Sequence, residues 1–158
     1  MQVPGFSTYL HPVEIDGDRF ILSIGEEWDE NGWWSSVKLT LFNVSDPSSP
    51  VVAAELLDKG ASTNAQYDFQ AVRYMPESKS LIIPKSKYNY DSTYGDGFHF
   101  VVYEVSADKI KSLYNISQSD NNCWYESYIQ PRSLVFESKL TTIIGKPARR
   151  ILLIYSQC

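Results

Sequence analysis

One spacing governs this chain. Phe20-Ile21-Leu22-Ser23-Ile24 returns 61 residues later (20 to 81) as Leu81-Ile82-Ile83-Pro84. Leu41-Phe42-Asn43-Val44-Ser45 returns at the same interval (41 to 102) as Val102-Tyr103-Glu104-Val105-Ser106. A third start, Arg132-Ser133-Leu134-Val135-Phe136-Glu137-Ser138-Lys139, echoes Gln70-Ala71-Val72-Arg73-Tyr74-Met75-Pro76-Glu77-Ser78-Lys79. Self-similarity at a fixed period of this length marks stacked supersecondary units, each too small to bury its apolar face alone.

The units read as strands. Aromatics make up 14% of the 158 residues, with 11 Tyr, 7 Phe and 4 Trp, and such flat side chains suit a pleated surface. No stretch of helix length carries a 3.6-residue period. In the first unit, alternation and turn chemistry predict strands at about Tyr9–Glu14, Arg19–Ile24, Val37–Val44 and Val51–Leu57. Asp16-Gly17-Asp18 and Asp46-Pro47-Ser48-Ser49-Pro50 punctuate them, because Asp-Gly tolerates positive φ and each Pro removes a ladder donor. The second unit predicts Phe69–Met75, Ser80–Pro84, Phe98–Ser106 and Ile110–Ile116, and the third Arg132–Phe136, Leu140–Ile144 and Arg150–Tyr155.

Repeated four-stranded antiparallel sheets are the blades of a β-propeller, and a closed ring takes typically 4–8 of them. The expected fold is therefore all-β: an incomplete propeller with a stub at residues 3–6, blades at 9–57 and 67–116, and a partial blade at 128–156. Three units cannot close a ring. The remaining blades of a longer parent chain, or a partner, are expected to cover the end sheets.

Composition narrows the function. A formal charge of −5 and the lack of any Lys/Arg run argue against nucleic acid. No apolar run is long enough to span a bilayer, and Met1-Gln2-Val3-Pro4-Gly5-Phe6 lacks the charged and apolar regions of a signal peptide. Cys123 and Cys158 sit in no metal-ligand spacing. Their pairing, left open by the sequence, would close a loop contributing roughly 3–4 kcal/mol.

Val3-Pro4-Gly5-Phe6-Ser7-Thr8-Tyr9-Leu10-His11-Pro12, Asp29-Glu30-Asn31-Gly32 and Leu39-Thr40-Leu41-Phe42-Asn43-Val44-Ser45-Asp46-Pro47-Ser48-Ser49-Pro50 follow one another here. With Tyr67-Asp68-Phe69-Gln70-Ala71 and Arg132-Ser133-Leu134, this series resembles the secreted proteins with a C-terminal β-propeller domain distantly related to WD40 repeats. The resemblance implies an exported, extracellular or cell-surface protein, larger than this chain and without an assigned activity. Similar proteins tend to carry His where this chain has Phe69, so a site built on that histidine is not expected here.

In a propeller, the loops joining second and third strands emerge on the same face as the links between blades. That face is expected to gather Glu26-Glu27-Trp28-Asp29-Glu30-Asn31-Gly32-Trp33-Trp34, Tyr88-Asn89-Tyr90-Asp91 and Cys123-Trp124-Tyr125-Glu126, with every tryptophan of the chain. Flat aromatic faces beside carboxylates and amides suit a sugar ring, or a protein partner anchored by Trp and Tyr. Trp28, Asp29, Trp33, Trp34, Tyr88, Tyr90, Trp124 and Tyr125 are the candidate ligand-binding residues; the competing reading is that such loops fold back over their own aromatics. His11, Asp68, Gln70 and Arg132 are expected on or beside the first strands, which line the central channel, where such groups either hold a ligand or bond neighbouring backbone. His99, at the repeat position of Lys38, is expected at an exposed strand position.

Catalytic and metal templates are absent from the pattern. There is no Gly-x-Ser-x-Gly elbow, His-Glu-x-x-His or phosphate-cradling glycine loop. Glu27-x-Asp29-x-Asn31-Gly32 opens like a calcium loop, but its twelfth position is Lys38 where an EF-hand needs Glu. A looser calcium site drawing on other loops stays open; no other cofactor is indicated. Asn43-Val44-Ser45 and Asn115-Ile116-Ser117 match the glycosylation pattern. The expectation is a non-catalytic recognition or scaffold module binding protein or carbohydrate. The alternative is a polysaccharide-acting hydrolase or lyase that uses loop carboxylates such as Asp29 and Glu30.

Overall fold

The computed structural model describes residues 4–28, 35–87, 98–117, 131–136, 139–143 and 150–153. Its first sheet is a meander of β1 (Phe6–Ile15), β2 (Asp18–Trp28), β3 (Ser35–Asn43) and β4 (Val51–Lys59), each antiparallel to the next. Asp16 and Gly17, both at positive φ (54° and 89°), close its first hairpin with the handedness that matches strand twist. The second sheet holds β5 (Ala61–Ser62), β6 (Arg73–Met75), β7 (Ser80–Lys87), β8 (Phe98–Ser106) and β9 (Lys109–Ser117). The third holds β10 (Arg132–Phe136), β11 (Lys139–Ile143) and β12 (Arg150–Leu153).

These are the expected strand groups, with two departures. Phe6, assigned by sequence to a stub before the first blade, opens β1 and pairs with Glu26. The innermost strand of the second sheet, predicted over Phe69–Met75, is strand only at Arg73–Met75, and β5, which was not predicted, takes the other end of that edge. β5 pairs with Ser86 and Lys87 at one end of β7, β6 pairs with Ser80–Ile82 at the other, and the chain between them leaves the sheet in 3-10 turns at Asn64–Gln66 and Phe69–Ala71. Short polar side chains cause this. Thr63 Oγ1 accepts from Ala65 N and Asp68 Oδ1 from Gln70 N, both at 3.1 Å, offering the backbone a local alternative to the ladder.

The period also proves to be an average. Rows Leu22–Leu41 and Ile82–Val102 correspond, so β3 maps onto β8 at an interval of 61 (41 to 102), whereas β2 maps onto β7 at 60 (22 to 82). β1 maps onto β6 at 62 (11 to 73), because six residues separate the partners Val13 and Phe20 but four separate Met75 and Ser80. The one-residue slip matters: Phe20 is matched by Ser80, not by Leu81 as the sequence echo suggested.

The sheets stack face to face. Phe20, Leu22, Ile24, Val37, Leu39 and Leu41 of the first sheet form one core with Leu81, Ile83, Val101, Tyr103 and Val105 of the second. The alternate residues Ile82, Phe100 and Val102 turn the other way and form a second core with Leu140 of the third. The second sheet is thus apolar on both faces, which a blade between two others requires and an end sheet does not.

Candidate functional site

β1, β5 with β6, and β10 are edge strands of their sheets, and the excursion at 63–72 leaves that edge of the second sheet while keeping Thr63, Ala65, Gln66 and Ala71 buried. Its backbone is fixed at several points. Besides the two caps, Thr63 Oγ1 donates to the Pro84 carbonyl, and Gln66 Nε2 reaches the Gly25 carbonyl of the first sheet at 3.4 Å. Asp68 Oδ2 accepts from the Arg132 guanidinium of β10 at 2.6 Å, and Gln70 Oε1 accepts from the same guanidinium at 3.0 Å. Arg132 also bonds the Pro131 carbonyl at 2.8 Å, and Arg73 of β6 donates to Ser133 O at 3.1 Å. These groups tie the excursion to the third sheet.

Three of the four channel residues expected from sequence, Asp68, Gln70 and Arg132, are therefore brought together. Asp68 and Gln70 sit in the excursion and not on a strand. Both Asp68 oxygens are engaged, one by the cap and one by arginine, so the cluster acts as a clamp. What it presents is aromatic: Tyr67 and Phe69, on either side of Asp68, are 78% and 70% exposed. The fourth residue, His11, stays on β1 beneath a different group. The Tyr9 hydroxyl lies 3.1 Å from its Nδ1, the Tyr9 ring stacks at 6.0 Å and 14°, and the Tyr74 ring meets it at 5.8 Å and 59°. Burial among these rings lowers the imidazole pKa and raises those of both tyrosines.

Trp28, half exposed, ends β2. Asp29, Trp33, Trp34, Tyr88, Tyr90, Trp124 and Tyr125 lie outside the described residues, as do Glu30, Cys123 and Cys158. Glu27, the first residue of the calcium-like pattern, gives Oε2 to Lys38 Nζ at 2.6 Å. Among the described residues, no group of three or more His, Cys, Asp or Glu is arranged to hold a metal ion, and no helix is long and apolar enough to cross a membrane.

Sequence reasoning missed two charged clusters. Lys38, whose repeat position was read as exposed, is buried on β3 and bonds Glu27, Glu55 (3.2 Å) and the Pro4 carbonyl (2.9 Å). Burial alone would lower its pKa, yet the hydrogen bonds and charges of the two glutamates hold it above the ordinary value. Lys85 of β7 pairs with Asp58 of β4 across the first core. The available signal was a lone cation in an otherwise apolar alternation, as in Val37-Lys38-Leu39.

Comparison with known proteins agrees with this architecture. A family model described as a beta propeller domain matches residues 1–149. An uncharacterised protein of Methanocaldococcus jannaschii is 28% identical over 113 residues, covering 72% of this chain and 15% of the relative. An uncharacterised protein of Archaeoglobus fulgidus is 24% identical over 135 residues, covering 78% of this chain and 20% of the relative. The chain thus spans a small part of the curated relatives it matches. No solved structure matches it significantly.

Proposed function

The chain belongs to the beta propeller domain family, and on that footing we propose that it is a non-catalytic recognition and scaffold module of a larger, exported protein. It engages a protein or carbohydrate ligand through aromatic side chains gathered at the inner edge and on the loops at one end of the blades. The observation that carries this reading is the pair Tyr67 and Phe69, exposed on a backbone that the Thr63 and Asp68 caps and the Arg132 clamp hold rigid. Large exposed aromatics on a preorganised backbone lose little entropy on binding, and they favour stacking on a sugar face or filling a partner's pocket. Trp28, Trp33, Trp34, Tyr88, Tyr90, Trp124 and Tyr125, with Asp29 among them, extend the same chemistry. Export rests on the resemblance to secreted propeller proteins.

The test is a screen of the purified chain against arrayed polysaccharides and an immobilised peptide library. A hit weakened at least about tenfold by Tyr67→Ala with Phe69→Ala supports the reading, since aromatic anchors dominate such contacts. A hit indifferent to those changes and to Trp33→Ala with Trp34→Ala overturns it. Release of reducing ends from a polysaccharide, lost on Asp29→Asn or Glu30→Gln, overturns it in favour of an enzyme.

A further inference from the structure

Two stretches of the chain, Asn43-Val44-Ser45 and Asn115-Ile116-Ser117, carry the Asn-x-Ser pattern, and the fold treats them in opposite ways. Asn43 lies on β3, which is paired on both sides, with Phe20 of β2 and Val51 of β4 as its partners. It is half-buried, and its Oδ1 accepts from Ser45 N at 2.9 Å. The Ser45 hydroxyl is engaged as well, accepting from Arg19 N at 3.1 Å and donating to Asp18 Oδ1 at 3.4 Å. Phe20, directly opposite Asn43, is buried in the core between the first two sheets, so a sugar on Asn43 has to displace that packing.

Asn115 stands differently. It is exposed, and its strand, β9, is the last of the second sheet, paired among the described residues with β8 alone. Its partner Val101 belongs to the core shared with the first sheet, whereas the next row, Ile116 with Phe100, belongs to the core shared with the third. The Asn115 side chain therefore rises on the flank facing the first sheet, whose four strands are all in place. Its exposure is that of a blade whose neighbour on this side is already packed, and completing a ring adds nothing over it. That separates it from the two end faces, which further blades cover.

This edge also has little protection of its own. Lys109 and Lys111 charge the first half of β9, but Ser112-Leu113-Tyr114-Asn115-Ile116-Ser117 carries no charge, and Leu113 and Tyr114 are exposed. Edge strands are kept from pairing with other chains by charge, proline or cover, and a glycan is bulky, solubilising cover.

We propose that Asn115 is the acceptor of an N-linked glycan and that Asn43 is not. The inference rests on the export reading, because the donor, an oligosaccharide carried on a lipid phosphate, is met outside the cytoplasm. Asn115 Nδ2 attacks the anomeric carbon of the donor. The C–N bond forms as the C–O bond to the lipid phosphate breaks, the phosphate leaves with the electron pair, and the amide proton passes to a base of the oligosaccharyltransferase. Whether transfer precedes or follows folding, Asn115 leaves room for the product and Asn43 does not.

The 158-residue chain is fused to a cleavable secretion signal and made in an N-glycosylating host, so that export is supplied and the choice of acceptor is what is read. Glycopeptide mass spectrometry of the soluble, exported protein is expected to find a glycan on the peptide holding Asn115 and none on the peptide holding Asn43. Peptide-N-glycosidase is expected to remove it and leave aspartate at that position. Asn115→Gln and Ser117→Ala are each expected to abolish the gel shift, and Asn43→Gln to leave it unchanged. Exported protein without a glycan overturns the proposal, and so does a glycan on Asn43. Fractionation of the cells that make the native protein tests export separately: confinement to the cytoplasm overturns the export reading, while the acceptor assignment stands or falls with the secreted chain.

Discussion

Gly25 decides how β1 begins. A Cβ built there would meet the Phe6 carbonyl oxygen at 1.9 Å, and backbone cannot swing aside as a side chain would. Gly25→Ala is expected to cost on the order of 3 kcal/mol, as overpacking does, and to free the Gly5–Ser7 segment, read by urea denaturation and by hydrogen exchange at Phe6. His11 makes a prediction in pH. Its folded-state pKa lies below the unfolded value because burial disfavours the charged ring, so between the two values the unfolded chain binds more protons. Stability conferred by neutral His11 is complete above the unfolded pKa near 6.5 and is lost as pH falls toward the folded value. Melting temperatures between about pH 5 and 7.5, where ordinary carboxylates stay ionised, are expected to fall more steeply on acidification for the native chain than for His11→Gln; equal slopes would refute the assignment. At this scale the sequence was legible where local chemistry acts alone, as at Asp16-Gly17. It misled at Lys38, whose burial depends on Glu27, Glu55 and Pro4 arriving from other strands.

Between elements, a few charged contacts hold one sheet to the next. Asp68 and Arg132 bridge the second and third sheets across 64 residues of sequence, both side chains being partly buried. A double-mutant cycle of Asp68→Ala and Arg132→Ala is expected to give a coupling of about 1 kcal/mol, above most exposed pairs because the bond is short and charge-assisted. Arg132→Ala is further expected to speed proteolysis within the excursion at 63–72. Lys85 and Asp58 form a drier pair, with Lys85 buried and Asp58 mostly so. Removing one partner, as in Lys85→Met, strands a carboxylate near the buried Tyr103 and is expected to cost about 3 kcal/mol, whereas Lys85→Met with Asp58→Leu restores most of it. Urea midpoints of the native chain and these two variants check this. Strand groups were readable because alternation and turn residues are local signals. The split of β5 from β6 was not, because Thr63 and Asp68 fold the chain outward only when Pro84 and Arg132 stand opposite them.

For the whole molecule, the two ends of the stack differ in kind. The first sheet's outer face is lined with hydroxyls and an ion cluster, while the third sheet's outer face shows Leu134 and Phe136 at 52% and 72% exposure. Alternation along β10 sets them opposite Val135, which with Leu140 packs on the second sheet. In the second sheet the corresponding outward residue Met75 packs against the second core. The stacked, ring-forming character of the fold was visible in the repeat; which end face is apolar was not, because it depends on the register of each hairpin and the period alone is an average. An apolar end face without a covering sheet invites heterologous, head-to-tail association, which propagates unless it closes. The 158-residue chain is expected to self-associate with concentration in sedimentation velocity, and Leu134→Ser with Phe136→Ser is expected to return it to monomer with little loss of stability, since both side chains are already in water. The paired change Leu10→Ser with Leu57→Ser, on the opposite end face, serves as the contrast. If it alone dissolved the association while the Leu134 and Phe136 changes did nothing, the apolar end would lie on the first sheet, and the polarity assigned to the stack would be reversed.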